Sequence, residues 1–389
     1  MSDKFLDGKK NVTIIGAPFS GGQPKGGVDD GPEYLMKAGL AENIEQLGWK
    51  TEHNGTLSFP EPAQDPPIGN MKRPRYVADS TKKIYEAVKE AALKKHLPLT
   101  IGGDHSIAIG TVAGVQAAHP DACLLWIDAH ADLNTPAATE SGNLHGCPVS
   151  FLLGIDETPE KKEDDVFGWV PHCLDSSRLA YIGLRDVDPF EKQYIRENNV
   201  TAYSMHHVDK YGIAKVVEMA LEKVNPDGKR PIHLSFDVDA IDPVYAPATG
   251  TPVRGGLTWR EACYLCEAIA ETNNLVAMDL VETNPHLGEN DKSINDTVTS
   301  GISLVKCALG DTLFNGEESK ETVNDAKSNG EESRDTVAET KNNDEESKDT
   351  VSQKELPTVN IPLNENRIIS TPTWFVEMSD RSTPSGWFS

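Results

Sequence analysis

LLWIDAHADLNT, residues 124–135, passes from a dense apolar block directly into Asp128, His130 and Asp132. Burying an ionised carboxylate is costly unless something compensates for it. A strand that ends in such a run therefore either spreads its charges into solvent or aims them at a cation. What the rest of the chain delivers to the same edge decides between the two.

Working outward, the apolar block belongs to a series. NVTIIG (11–16), LPLTIG (97–102), CLLWID (123–128), LAYIGL (179–184), PIHLSFD (231–237) and LVAMDL (275–280) have the length and β-branched content of buried strands. Helical periodicity lies between them at 79–96, 106–118, 212–224, 257–271 and 293–309, and Thr258 with Glu261 spells a capping box. This alternation predicts an α/β fold, a doubly wound and mainly parallel sheet with helices on both faces. Ligands bind such sheets beyond the carboxyl ends of the strands.

Polar clusters recur at those ends. LPLTI runs into GGDHS (102–106), LLWI into DAHAD (128–132) and IHLSF into DVDAID (237–242). YIGL is followed by RDVDPFE (185–191) and VAMDL by VETNPH (281–286). A single Asp or His after a strand is usually a helix cap or a turn residue. Here three strand ends supply them together, and in extended backbone residues i, i+2 and i+4 share a face. Asp128, His130 and Asp132 are thus expected to converge with Asp237, Asp239 and His105.

Four carboxylates and two imidazoles in one cleft would repel and take up protons unless divalent cations held them. An oxygen-rich set without thiolate suits Mn²⁺ better than structural Zn²⁺. Two such ions can offer hydroxide as a nucleophile at neutral pH, which is the chemistry of a metal-assisted hydrolase.

Composition excludes several classes. The 389 residues carry a net charge of −24, leaving no basic footprint for nucleic acid or an anionic membrane. There is no signal-like N-terminus and no apolar run of spanning length, so a cytoplasmic location is expected. The six cysteines lie mostly within apolar stretches, as small buried hydrophobes in a reducing compartment do. Cys263 and Cys266 form a C-x-x-C within a helical pattern, without a second pair for zinc.

After residue 314 the chain changes character, with three copies of a 14-residue unit from NGEESKETVNDAKS (315–328) to NDEESKDTVSQKEL (343–356). Thirteen acidic and six basic side chains with no aromatics cannot bury enough apolar surface to order the tract. The expected organisation is a catalytic domain over 1–312, an acidic repeat over 313–356 and a tail over 357–389 that regains Trp374, Phe375, Trp387 and Phe388.

GGDHS, DAHADLNT and SFDVDAIDP, in this order, resemble the three signature segments of the ureohydrolase family, which includes arginases and agmatinases. The likeness spans about residues 11–312. IGAPFSGGQPKGGVDDGP (15–32), SGNLHG (141–146), GLRDVDPFE (183–191), ATGTPV (248–253) and ETNP (282–285) are similar to the arginase branch in particular. The glycine-rich loop of the first of these fits neither dinucleotide nor P-loop spacing, and its glycines are expected to let backbone approach the site rim.

The resemblance implies a three-layer α/β/α fold with about eight strands and two Mn²⁺ per subunit. One ion would be held by His105, Asp128, Asp132 and Asp237, the other by Asp128, His130, Asp237 and Asp239. A hydroxide bridging them would attack the guanidinium carbon of L-arginine and release ornithine and urea. His145 would shuttle the proton, Glu282 would pair with the guanidinium and Thr251 would assist it. Asn134, Ser141 and Asn143 would receive the α-carboxylate, with Asp188 and Glu191 at the α-ammonium. Asp132 would also orient the hydroxide. Agmatine lacks that carboxylate, so the Asn134 and Ser141 pair favours arginine over agmatine or another guanidino compound. A silent arginine-binding regulator would have no need of His130, His145 and Glu282. Family arginases are commonly trimers, so a homo-oligomer is expected.

Overall fold

All six anticipated runs are strands of one sheet, and they are its central members. The computed structural model describes residues 5–155 and 164–312, all within one compact unit. The expectations for 313–356 and 357–389 lie outside the described residues. The strands are β1 (Asn11–Ala17), β2 (Lys50–Thr56), β3 (Leu97–Gly102), β4 (Cys123–Ile127), β5 (Leu179–Leu184), β6 (Thr201–Ser204), β7 (Ile232–Asp237) and β8 (Leu275–Val281). They pair in the order β2-β1-β3-β8-β7-β4-β5-β6, every neighbouring pair parallel.

The sequence reading passed over β2 and β6, the two edges. Each has one neighbour, and KTEHNGT and TAYS lack the continuous apolar run that two-sided burial imposes on a central strand.

The helices are α1 (Gly31–Lys37), α2 (Leu40–Gln46), α3 (Pro74–Leu93), α4 (Ala108–Ala118), α5 (Pro148–Leu153), α6 (Pro189–Glu197), α7 (Met205–Tyr211), α8 (Ile213–Val224), α9 (Trp259–Glu271) and α10 (Asp291–Ala308). They divide between the faces as period-2 alternation along the strands dictates. Cys123, Leu125 and Ile127 of β4 point into a core shared with α1, α2, α8, α9 and α10, whereas Leu124 and Trp126 point the other way, into a core that includes Ala108 and Val112 of α4. The result is the expected three-layer α/β/α arrangement. The capping box at Thr258 and Glu261 is formed at the start of α9.

α4 is buried around most of its circumference, which requires close backbone approach to α3. A Cβ on Gly110 would lie 2.2 Å from the Thr81 carbonyl oxygen, so glycine is needed there. All six cysteines are free, and five are buried. No described helix is long and apolar enough to cross a membrane.

Strand register sets the position of the site. Ile127 pairs with Phe236, Phe236 with Leu280 and Ile101 with Leu280, so β3, β8, β7 and β4 end in one row. The chain leaves that row carrying His105, Glu282, Asp237 and Asp128 side by side.

Candidate metal centre and substrate cavity

His105 follows β3 in a 3-10 turn, buried to 1 % exposure. Its Nδ1 lies 3.0 Å from Asp128 Oδ2 and 3.2 Å from both Asp132 Oδ2 and Asp237 Oδ2. On the other ring nitrogen, Nε2 lies 3.0 Å from the Ser235 hydroxyl. In the tautomer that donates from Nε2 to Ser235, Nδ1 would turn its lone pair to a cation held among the three carboxylates. A second set adjoins the first: His130 Nδ1 is 3.3 Å from Asp128 Oδ1 and 3.2 Å from Asp239 Oδ2. Asp128 thus offers one oxygen to each imidazole. Asp237 joins the His105 set, and its other oxygen accepts the Asp239 backbone N–H at 2.8 Å.

The spacing fits cations. Ligand atoms about 2.1 Å from a six-coordinate centre sit about 3 Å apart, which is the separation around both Nδ1 atoms. His105, Asp128 and Asp132 form one group able to hold a metal ion, and Asp128, His130 and Asp239 form another. Electrostatics point the same way. Burial, then neighbouring carboxylates, raise Asp237 well above the ordinary range and Asp239 to about 6. Burial alone would lower the His105 imidazole, but the carboxylates facing it raise it well above the ordinary value. Without cations this cluster is stable only by taking up protons, the condition that divalent ions relieve.

The backbone route to this convergence differs from simple strand alternation. β4 stops at Ile127, and Asp128 to His130 lie in a bend. Asp132 adopts a left-handed conformation with φ of 48°. Asp239 is presented by the 3-10 turn Val238–Ala240 after β7. Glu282, just beyond β8, is also left-handed at φ 61°. Non-glycine residues in this region are strained and concentrate at sites that need a particular side-chain direction.

Above the carboxylates lies a cavity of about 170 Å³ lined by His130, Asp132, Asn134, Thr139, Ser141, His145, Gly146, Asp186, Asp188, Glu191, Asp237 and Thr251. Asn134 Nδ2 donates to Asp188 Oδ2 at 2.8 Å, and the Ser141 hydroxyl accepts the Asn143 N–H at 3.2 Å. Asn143 caps the turn that carries His145 and is not part of the lining. The Thr251 hydroxyl donates to Asp239 Oδ2 at 2.9 Å.

Glu282, buried to 2 % exposure, is not part of the lining but is held beside it. Its Oε1 accepts the His105 N–H at 3.0 Å and lies 3.6 Å from His145 Nδ1, while Oε2 accepts Gln23 Nε2 at 2.7 Å. Burial works to lower the His145 imidazole, but the carboxylates around it, Glu282 first and then Asp132 and Asp104, together push the group up to about 9. The glycine-rich loop reaches this point as anticipated: Gly22 accepts from the His145 N–H and donates to Asp104 Oδ2, and a Cβ on Gly22 would meet Asp104 Oδ1 at 2.6 Å.

Sequence reasoning missed Trp126, Ser235, Gln23, Asp104, Thr139 and Asp186. Trp126 and Ser235 carried a usable signal, since each stands two residues before a candidate ligand, Asp128 and Asp237. Trp126 stacks on His105 with 3.9 Å between ring centroids and 11° between planes.

Residues 10–310 match the Arginase family model. An arginase from Glaciozyma antarctica is 56 % identical over 313 residues, spanning 79 % of this chain and 90 % of the relative. Bovine arginase-1 is 45 % identical over 302 residues, covering 77 % and 93 %. Among solved structures, the Bacillus caldovelox arginase superposes with a TM-score of 0.72 at 35 % identity, covering 78 % of this chain and 99 % of that one. An Entamoeba histolytica arginase in complex with L-ornithine gives a TM-score of 0.70 at 30 % identity, covering 78 % and 99 %. Family match, sheet topology and a paired imidazole–carboxylate site converge on one conclusion: the chain belongs to the arginase family.

Proposed function

We propose that this chain hydrolyses L-arginine to L-ornithine and urea, with two Mn²⁺ ions per subunit. The observation that carries the reading is Asp128, whose two oxygens serve two separate imidazole–carboxylate sets at the floor of the cavity. His105, Asp128, Asp132 and Asp237 would hold one ion, and Asp128, His130, Asp237 and Asp239 the other. When bound, the ions supply activated water at neutral pH.

The chain's own residues do the remaining work. Glu282 receives the guanidinium, whose planar N–H fork matches a carboxylate. Its backbone strain and its bonds to Gln23 and His105 fix its direction before substrate arrives. His145 stays protonated near neutral pH because Glu282 faces it, and so has a proton to give the departing δ-amine of ornithine. Asp132 accepts a proton from the attacking water. At the other end of the cavity, Asn134 has a second amide N–H beyond the one given to Asp188, and with the Ser141 hydroxyl and Asn143 it meets the α-carboxylate. Asp188 takes the α-ammonium, with Glu191 behind it.

The test is urea release by metal-depleted and Mn²⁺-reloaded protein on L-arginine, agmatine and 4-guanidinobutyrate. Mn²⁺-dependent turnover confined largely to L-arginine is expected. Equal or better turnover of agmatine would overturn the substrate assignment, because a site built to bind a carboxylate leaves those groups unpaired around a substrate without one.

A further inference from the structure

Arg185 opens the RDVDPFE run directly after β5, and its half-buried side chain lies against main chain of neighbouring segments. All five of its N–H donors end on backbone carbonyls. Nε donates to Val253 O at 3.2 Å, Nη1 to Gly183 O at 3.2 Å and Ala240 O at 3.3 Å, and Nη2 to Val253 O at 2.8 Å and to Asp239 O. Among the described residues no carboxylate takes part, although arginine in protein interiors usually pairs with one. The fork joins three pieces of chain: the end of β5, the turn after β7 that carries Asp239, and the loop that carries Thr251.

The connection extends from there. Thr251 donates from that loop to Asp239 Oδ2, and the Arg185 and Asp186 backbone N–H groups both donate to Ala129 O, between Asp128 and His130. Close packing holds the guanidinium in place, since a Cβ on Gly256 would lie 2.7 Å from Nη2. From these contacts we infer that Arg185 is a positioning residue for the reaction: its guanidinium acts as a fixed internal cation that locks the Asp239 turn to the Thr251 loop, holding the second metal-ligand set and the cavity wall in register. The inference rests on the function proposed above.

The experiment compares the parent with Arg185→Lys and Arg185→Met as full chains. Lysine keeps the charge but has three donors at one point, so it cannot hold carbonyls on three segments together. Three quantities are read: Mn²⁺ bound per chain and its dissociation constants by equilibrium dialysis, KM and kcat for L-arginine, and the midpoint of thermal unfolding of metal-free protein. In Arg185→Lys we expect the weaker of the two Mn²⁺ dissociation constants to rise about tenfold to a hundredfold, as for other groups that orient ligands, with KM rising about tenfold and the tighter ion little affected.

A variant whose unfolding midpoint falls while both dissociation constants and KM stay within twofold of the parent would overturn the inference, leaving Arg185 as packing alone. If Arg185→Met does not fold, Arg185→Lys decides. Metal binding is measured without turnover, so a parent that binds two ions but releases no urea would count against the proposed function and not against this role.

Discussion

The indole Nε1 of Trp126 donates a 2.9 Å hydrogen bond to Asp128 Oδ2. That oxygen also faces His105, on whose ring the same indole stacks. One side chain from β4 therefore orients both partners of the contact at the centre of the first candidate ligand set. Trp126 is the penultimate residue of β4 and Asp128 the first residue beyond it, so the contact is made just where the strand gives way to the bend.

Trp126→Phe tests the donor apart from the stack, because the ring face stays while the N–H goes. A buried acceptor that loses its donor costs about 1–3 kcal/mol, and metal affinity should fall about tenfold. Equilibrium dialysis with Mn²⁺ and thermal unfolding of the metal-free protein measure the two effects. Unchanged values for both would remove Trp126 from the site.

Among the described residues Asp128 is the one side chain whose oxygens address both imidazoles, so Asp128→Asn should differ in kind from Asp239→Asn. The first is expected to lose bound metal from both positions and reduce turnover more than about a hundredfold, beyond the range typical of ligand-orienting groups. The second should retain about one ion per chain. Elemental analysis of the dialysed variants decides it, and two ions per chain in Asp128→Asn would end the shared-ligand reading.

His145 supplies a pH prediction whose sign follows from Glu282. The folded value of about 9 lies above the ordinary 6.5, so the His145–Glu282 contact stabilises the fold fully below about pH 6.5. That contribution is lost as pH rises through 9. In Glu282→Gln burial acts on the imidazole unopposed by that carboxylate, and its titration should move down by at least one unit. NMR titration of the imidazole in metal-free protein reads this directly. A parent value at or below 6.5 would contradict the geometry.

How far the sequence could be read follows from what each feature depends on. β3, β4, β7 and β8 are buried on both faces and read as mainly apolar runs, whereas β2 and β6 are the edges of the sheet and carry no such run. The metal-ligand candidates were legible because carboxylates after buried strands need compensation. Their delivery was not, since Asp132 and Asp239 arrive through a left-handed residue and a 3-10 turn instead of an extended strand. Gln23 meets Glu282 across 259 residues of sequence, and among the described residues the Arg185 guanidinium donates to main-chain carbonyls alone. Neither arrangement leaves a pattern in composition or spacing.

Glu191, expected beside the α-ammonium, lines the cavity with both of its oxygens bound to main chain. Its Oε1 accepts the Leu133 N–H and its Oε2 the Asp188 N–H, both at 2.8 Å, tying the segment before Asn134 to the N-terminus of α6. Glutamine has one acceptor oxygen, so Glu191→Gln must release one of these two N–H groups. The Asn134–Asp188 pair, which depends on both segments, then loses its fixed spacing. KM for L-arginine should rise about tenfold, the cost of roughly one lost hydrogen bond, while kcat changes less because the ligand sets are untouched.

The pH dependence of stability should change as well. Burial pushes the Glu191 carboxyl up to about 7. The folded state therefore binds this proton more tightly than the unfolded chain does, and the group's contribution to stability falls as pH rises from about 4.5 through 7. A neutral glutamine abolishes that slope. Unfolding midpoints of parent and variant across pH 4.5–8, set beside KM at a single pH, test both halves. An unchanged KM with an altered slope would leave Glu191 a buried acid with no part in holding the substrate end of the cavity.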